Sequence, residues 1–127
     1  MRALVVEDSS TIRKILCLYL KKMGIDVVEA TNGQEGLERL KEMSAPDIVL
    51  VDWNMPVMSG IDFIRAVRDL HDYDPLPLIM VTTNSEKEYL GTAMDAGANL
   101  YIQKPCTLEA LREKIEQLGI LDAPYSK

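Results

Sequence analysis

The segment Ile48-Val49-Leu50-Val51-Asp52-Trp53-Asn54-Met55-Pro56 constrains the fold more than any other stretch of the chain. Four aliphatic residues follow one another without a polar break, the pattern of a short strand buried on both faces, as in a parallel sheet. The run ends on a carboxylate. Asp52 is therefore carried to the C-terminal edge of the sheet, where ligands bind in open α/β folds. Met55-Pro56 prevents simple continuation, because the residue before a proline is pushed away from helix and proline has no N–H to give. Asp52 is thus held at a rigid lip. Taken alone, the same segment also reads as a strand closed by a solvated turn aspartate.

The rest of the chain repeats a strand-then-helix rhythm, five times in all. Residues 2–6 form a buried-strand run ending at Glu7-Asp8. Ser9 and Ser10 are candidate N-caps for a helix to about Met23. Its inward face is read as Ile12, Ile15, Leu16, Tyr19, Leu20 and Met23, with Gly24 as the stop. Val27-Val28 marks a second strand, and Asn32 caps a helix that turns Leu37 and Leu40 inward. The third strand, residues 48–51, is followed by a helix centred on Phe63, Ile64, Val67 and Leu70. Residues 78–81 form the fourth strand, ending at Thr82-Thr83. Ser85 and Glu88 fit a capping box for a weaker helix with Leu90, Ala93 and Met94, closed by Gly97. Residues 100–102 form the fifth strand, leading into Lys104-Pro105. Thr107 caps a last helix carrying Leu111, Ile115 and Leu118, closed by Gly119.

This alternation predicts right-handed βαβ crossovers and a parallel sheet with helices on both faces. Five units suit an α/β, flavodoxin-like (βα)5 doubly wound sandwich, with five parallel strands in the order 2-1-3-4-5 and the switch point between strands one and three. A chain of 127 residues fits one domain. Residues 1–120 are read as that domain and 121–127 as a short tail with little to pack, without an output domain. The net charge of −6 and the lack of a dense Lys/Arg cluster argue against a nucleic-acid surface. Two distant cysteines, Cys17 and Cys106, suggest a reducing compartment. With no membrane-length apolar run and no signal-peptide pattern, the cytoplasm is the expected location.

The predicted topology brings Glu7, Asp8 and Asp52 to one crevice. Like charges held that close need a counter-ion. A crowded acidic rim of hard oxygen ligands suits Mg²⁺, which takes one or two carboxylates and keeps waters for a phosphoryl group. Lys104, from the end of strand five, offsets residual negative charge, and Thr82, from the end of strand four, adds a hydroxyl. A metal site, a carboxylate nucleophile, an ammonium and a hydroxyl together are what acyl-phosphate formation on Asp52 needs. Singly, each has a plainer reading: Glu7-Asp8 as a helix-start acidic pair, Thr82 as a turn residue, Lys104 as a solvated lysine.

The combination Val5-Val6-Glu7-Asp8-Ser9-Ser10, Asp52-Trp53-Asn54-Met55-Pro56 with Gly60, Val81-Thr82, Ala96-Gly97-Ala98, and Tyr101 with Lys104-Pro105 resembles a response-regulator receiver domain of the CheY type over nearly the whole chain. The resemblance implies a stand-alone receiver in two-component signalling, a phosphoprotein rather than an enzyme in the usual sense. Asp52 would accept phosphate from a sensor histidine kinase or phosphotransfer protein. Asp8 and Asp52 would ligate Mg²⁺ directly, with the Asn54 main-chain carbonyl as a third protein ligand and Glu7 acting mainly through water. Lys104 and Thr82 would contact the phosphoryl group, and the Lys104–Pro105 bond would be cis. Thr82 and Tyr101 would form the switch, altering the face built from helix four, strand five and helix five so that it binds a downstream target protein. Asn54 and Asn84 would tune hydrolysis of the acyl phosphate.

The chain departs from its relatives at Cys106, where many carry phenylalanine, and at Thr83, where alanine is common. Cys106 is read as a small buried residue, with a reactive thiol as the lesser alternative, and Thr83 as narrowing access to the site. A chemotaxis-like adaptor is the leading reading. A phosphorelay intermediate and a receiver cut from a larger regulator stand beside it, as do a monomer and a dimer formed through the same face. No nucleic-acid or membrane partner is expected. Two other classes fit less well. A Mg²⁺-dependent aspartyl phosphatase wants an aspartate where Asn54 stands and room for a cap domain. An FMN protein of the same sheet order would not place Glu7-Asp8 in its phosphate loop.

Overall fold

The computed structural model describes residues 1–83 and 87–119. Within them, strands and helices alternate: β1 (Arg2–Val6), α1 (Ser10–Lys22), β2 (Asp26–Ala30), α2 (Gly33–Glu42), β3 (Ile48–Asp52), α3 (Gly60–Asp69), β4 (Leu78–Thr82), α4 (Lys87–Ala96), β5 (Leu100–Gln103) and α5 (Leu108–Gln117). The five strands are parallel and ordered β2-β1-β3-β4-β5, the topology expected from the alternation. A 3-10 turn at His71–Tyr73 interrupts the path from α3 to β4.

Sheet burial follows the hydropathy of the strands. Every residue of β3 and β4 is buried, so these central strands read as continuous apolar runs. Alternate side chains feed two cores. Leu4, Val6, Val49, Val51, Leu78 and Met80 meet Phe63, Ile64 and Val67 of α3, with Leu40 of α2 and Ala93 of α4. Ala3, Val5, Ile48, Leu50, Ile79 and Val81 meet Leu16, Cys17 and Leu20 of α1 and Leu111 and Ile115 of α5. The edge strand β5 buries only Ile102 fully.

Capping fixes where the helices start. Side chains of Ser9, Asn32, Ser59 and Thr107 accept from the N–H groups of Ile12, Glu35, Asp62 and Ala110, each a contact worth about 1 kcal/mol. Of the two serine candidates, Ser9 is the cap. The end of α1 is a complete Schellman motif, with Gly24 N–H on Lys21 O and Ile25 N–H on Leu20 O, both at 3.0 Å.

Several sequence readings shift. Ile15 is 42% exposed, because the stripe of α1 facing the sheet is Leu16, Cys17 and Leu20. Leu70 leaves α3 and lies 40% exposed, since the helix ends at Asp69 and the chain turns into the 3-10 segment. Met94 is 43% exposed, and Ala93 supplies the inward contact of α4. Asn84, the Ser85/Glu88 capping box and the 121–127 tail lie outside the described residues.

Candidate functional site

Each chemically interesting side chain sits where a parallel strand ends. Asp52 is the last residue of β3 and Thr82 the last of β4. Glu7 and Asp8 follow β1 directly, and Lys104 follows β5. The ladder hydrogen bonds run right up to them: Glu7 N–H donates to Ala30 O at 3.0 Å, Trp53 N–H to Val81 O at 3.1 Å, and Lys104 N–H to Thr82 O at 2.7 Å. The backbone that carries the site is thus an extension of the sheet. Lys104–Pro105 is cis, as the resemblance implied.

The loop after β3 is held close by Gly60. Its N–H donates to Trp53 O at 2.9 Å, and a Cβ there would run into the Asp52 carbonyl oxygen. Asn54 lies exposed in this loop, while Trp53 is half-buried against the core on the α2–α4 side.

Electrostatics dominate the crevice. Glu7, Asp52 and Thr82 are only 1%, 6% and 2% exposed, whereas Asp8 is exposed. One carboxylate oxygen from each of Glu7, Asp8 and Asp52 lies within 4.8 Å of the others. The Lys104 ammonium bridges the two buried members, 2.8 Å from Asp52 Oδ1 and 2.7 Å from Glu7 Oε1. It hydrogen-bonds Asp52. Its contact with Glu7 Oε1 is an ion pair, and beyond it that buried oxygen has no hydrogen-bond partner among the described residues. Glu7 Oε2 accepts from Ser9 N–H at 3.1 Å.

Burial pushes the Glu7 carboxyl up from its ordinary 4.5 to about 7, against the pull of Lys104 and the Ser9 N–H, with the charge on Asp52 adding to the rise. Burial alone would lower the Lys104 pKa; the close contacts with the Asp52 and Glu7 carboxylates outweigh it and hold the ammonium above its ordinary value. Three carboxylates this close with one ammonium between two of them are a cluster short of positive charge. Hard oxygen donors in this number fit a small divalent cation such as Mg²⁺.

The structure therefore brings together Glu7, Asp8, Asp52 and Lys104, with Thr82 at the neighbouring strand end. Tyr101 stands apart, 37% exposed on β5, with the Lys114 ammonium of α5 over its ring at 5.6 Å. Thr83 and Cys106 also leave the immediate site. With Ile12, Ile15, Tyr19 and Pro105 they line a cavity of about 370 Å³ between α1 and the β5–α5 connection. Cys106 is only half-buried, since it lines this cavity. Arg13 escaped the sequence reading. Its guanidinium donates to the Glu7 carbonyl oxygen at 2.8 Å. The available signal was a long cation one turn inside the helix that starts at the acidic pair.

Comparison with known proteins agrees with this architecture. The chain matches the family model of the response regulator receiver domain over residues 3–116. The chemotaxis protein CheY1 of Helicobacter pylori is 43% identical over 117 residues, spanning 91% of this chain and 94% of that protein. A chemotaxis protein CheY homolog of Campylobacter jejuni is 42% identical over 119 residues, spanning 93% and 92%. Among solved structures, the Vibrio cholerae chemotaxis protein CheY4 superposes with a TM-score of 0.87 at 32% identity, covering 92% of this chain and 97% of that one. Among the described residues, no helix is long and apolar enough to cross a membrane.

Proposed function

The chain belongs to the response regulator receiver family, and from that premise we propose that Asp52 is its phosphoacceptor, taking a phosphoryl group from a phosphohistidine on a sensor kinase or phosphotransfer protein. A carboxylate oxygen of Asp52 forms the new bond to phosphorus as the bond to the histidine nitrogen breaks, and the imidazole leaves. The product is an acyl phosphate on the protein itself, so the chain acts as a signalling protein that is modified, not as a catalyst of turnover.

The observation that carries this reading is the Lys104 ammonium bridging two buried carboxylates with a third within 4.8 Å. Lys104 already touches Asp52 Oδ1, so its charge is in place as phosphoryl oxygens arrive there. The Thr82 hydroxyl, one strand over, donates to the attached phosphoryl group. Asp8 and Asp52, with the Asn54 main-chain carbonyl, would hold Mg²⁺, and Glu7 would act through water. When bound, the ion neutralises phosphoryl oxygens that the acidic cluster would otherwise repel. Asn54 and Asn84 set the access of water to the acyl phosphate.

The output is a change of face. Thr82 drawn toward the phosphoryl group vacates space into which Tyr101 turns, and the surface of α4, β5 and α5 is then presented to a target protein. The relatives named above are chemotaxis proteins, which makes a chemotaxis-class target the leading partner and the cytoplasm the place of action. Residues 1–120 form the receiver unit in this reading.

Trp53, the single tryptophan, adjoins Asp52 and reports on the test. Its fluorescence is followed on adding Mg²⁺ and then a beryllofluoride mimic or small phosphodonor, in the wild type and in Asp52→Asn. A metal response followed by a second response that vanishes in Asp52→Asn is expected. A folded wild type silent to both additions would sink the reading and leave a phosphorylation-independent binding module.

A further inference from the structure

We propose that Arg13 is a positioning residue for the metal-binding carboxylates, holding the Glu7–Asp8 peptide so that Asp8 faces Asp52. The inference rests on the metal reading above and extends it to a side chain outside the acidic cluster.

The backbone of Glu7, the residue that follows β1, is held on both its peptide units. Glu7 N–H donates to Ala30 O of β2 at 3.0 Å, and Glu7 C=O accepts from Arg13 Nη1 of α1 at 2.8 Å. Arg13 is anchored in turn, since its Nε donates to Glu29 Oε1 of β2 at 3.0 Å. Its side chain is only 16% exposed while that of Glu29 is 50% exposed, so the contact with the Glu7 carbonyl is the more sheltered of the two. A guanidinium meets both acceptors at once because its donors form a rigid planar fork.

Asp8 gives the grip its consequence. Among the described residues, its carboxylate has no hydrogen bond or ion pair. Among the described residues, the backbone is what aims it at the cluster. The Glu7 carbonyl belongs to the same planar peptide unit as the nitrogen of Asp8. Fixing that carbonyl fixes the direction in which the chain leaves β1, and with it where the Asp8 side chain starts.

Two effects of Arg13 on a bound cation have opposite signs, which makes the proposal decidable. A guanidinium near the cluster repels a divalent ion, so charge alone predicts tighter binding once it is removed. Positioning predicts weaker binding. The probe is Mg²⁺ alone, titrated by Trp53 fluorescence and by calorimetry at fixed ionic strength, with thermal melts of the metal-free proteins alongside. Arg13→Gln is expected to weaken Mg²⁺ binding by about tenfold, the low end of what losing a group that orients a metal ligand costs. Arg13→Lys keeps the charge and is the variant less prone to unfold. A single ammonium cannot serve both the Glu7 carbonyl and Glu29, so it too is expected to bind less tightly, by about two- to fivefold.

Folded variants with unchanged or tighter Mg²⁺ binding, whatever their melting temperatures, would overturn the proposal and reduce Arg13 to a structural tie. A wild type that binds no Mg²⁺ would overturn the metal reading itself, and this proposal with it. The two failures are thus told apart by the wild-type titration.

Discussion

Val57 shows how local strain and site geometry meet at a single residue. It is the only non-glycine with positive φ among the described residues, at 70°, and it is 82% exposed. The Met58 N–H donates back to Pro56 O at 2.7 Å, so Val57 is the centre of a γ-turn of the rare positive-φ kind. A β-branched residue is poorly suited to that region, and its exposed side chain gains no packing in return. Val57→Asn is expected to stabilise the protein by about 1 kcal/mol, since asparagine tolerates the left-handed region at lower cost. For a domain of this size that is a rise of roughly 4 °C in melting temperature, read by calorimetry; a lower melting temperature would mean the turn is not strained. Proline at position 56 signals a turn, but not the close approach of Gly60 to the Asp52 carbonyl, a contact across eight residues that no local pattern announces. The strand-end positions of Glu7, Asp52, Thr82 and Lys104 were legible because a parallel sheet delivers all its C-termini to one edge. The direct pairing of Lys104 with Glu7 as well as Asp52 was not, because it depends on where one long side chain comes to rest.

At the scale of elements, the same distinction separates helices that spacing could orient from connections it could not. Helical periodicity placed Leu16, Leu20 and Phe63 correctly but misjudged Ile15 and Leu70, which sit at the margins of their stripes. The tie between α3 and its neighbours had no periodic signal at all. Arg68, next to last in α3, donates from Nε to Gly97 O at 3.0 Å, from Nη1 to Tyr73 O at 2.8 Å and Asp74 O at 3.2 Å, and from Nη2 to Leu76 O and Asn99 Oδ1, both at 2.9 Å. One guanidinium thus binds the 3-10 turn, the start of β4 and the α4–β5 turn to α3. Gly97, at φ 121°, is needed there, because a Cβ would strike the Arg68 side chain. Burial lowers the Arg68 pKa, against the charge of Asp74, yet an arginine stays charged. Arg68→Met would leave several main-chain carbonyls without their donor and is expected to cost about 3 kcal/mol. Hydrogen exchange should speed up first at Leu78 and Asn99, whose N–H groups are bonded beside this hub, and later at Val5 and Val6. Uniform acceleration across the sheet would show instead that Arg68 supports the whole fold and not this junction.

For the whole molecule, the acidic edge makes stability and metal binding functions of pH with opposite slopes. Glu7 titrates near 7 in the folded protein and near 4.5 when the chain is unfolded, so between those values the folded state holds more protons. The stability from this group is complete below about pH 4.5 and drains away as the pH rises through about 7. A divalent ion reverses the preference, because it requires the deprotonated carboxylates and supplies the positive charge they lack. Metal-free protein is therefore expected to melt at a lower temperature at pH 8 than at pH 6, while the rise in melting temperature on adding Mg²⁺ is larger at pH 8. Glu7→Gln carries no titrating carboxyl at this position, so it should flatten the pH dependence of the metal-free melt, and the Mg²⁺ increment should then change little between the two pH values. The competition also belongs to the cluster as a unit. Lys104 lies between Glu7 and Asp52, so a proton on Glu7 leaves the ammonium to Asp52, and loss of that proton returns the charge deficit that draws the cation in. Melts of wild type and Glu7→Gln at the two pH values, with and without Mg²⁺, separate the cases. A wild-type Mg²⁺ increment as large at pH 6 as at pH 8 would mean that the ion binds without displacing a proton, and Glu7 would then be a spectator of the metal site.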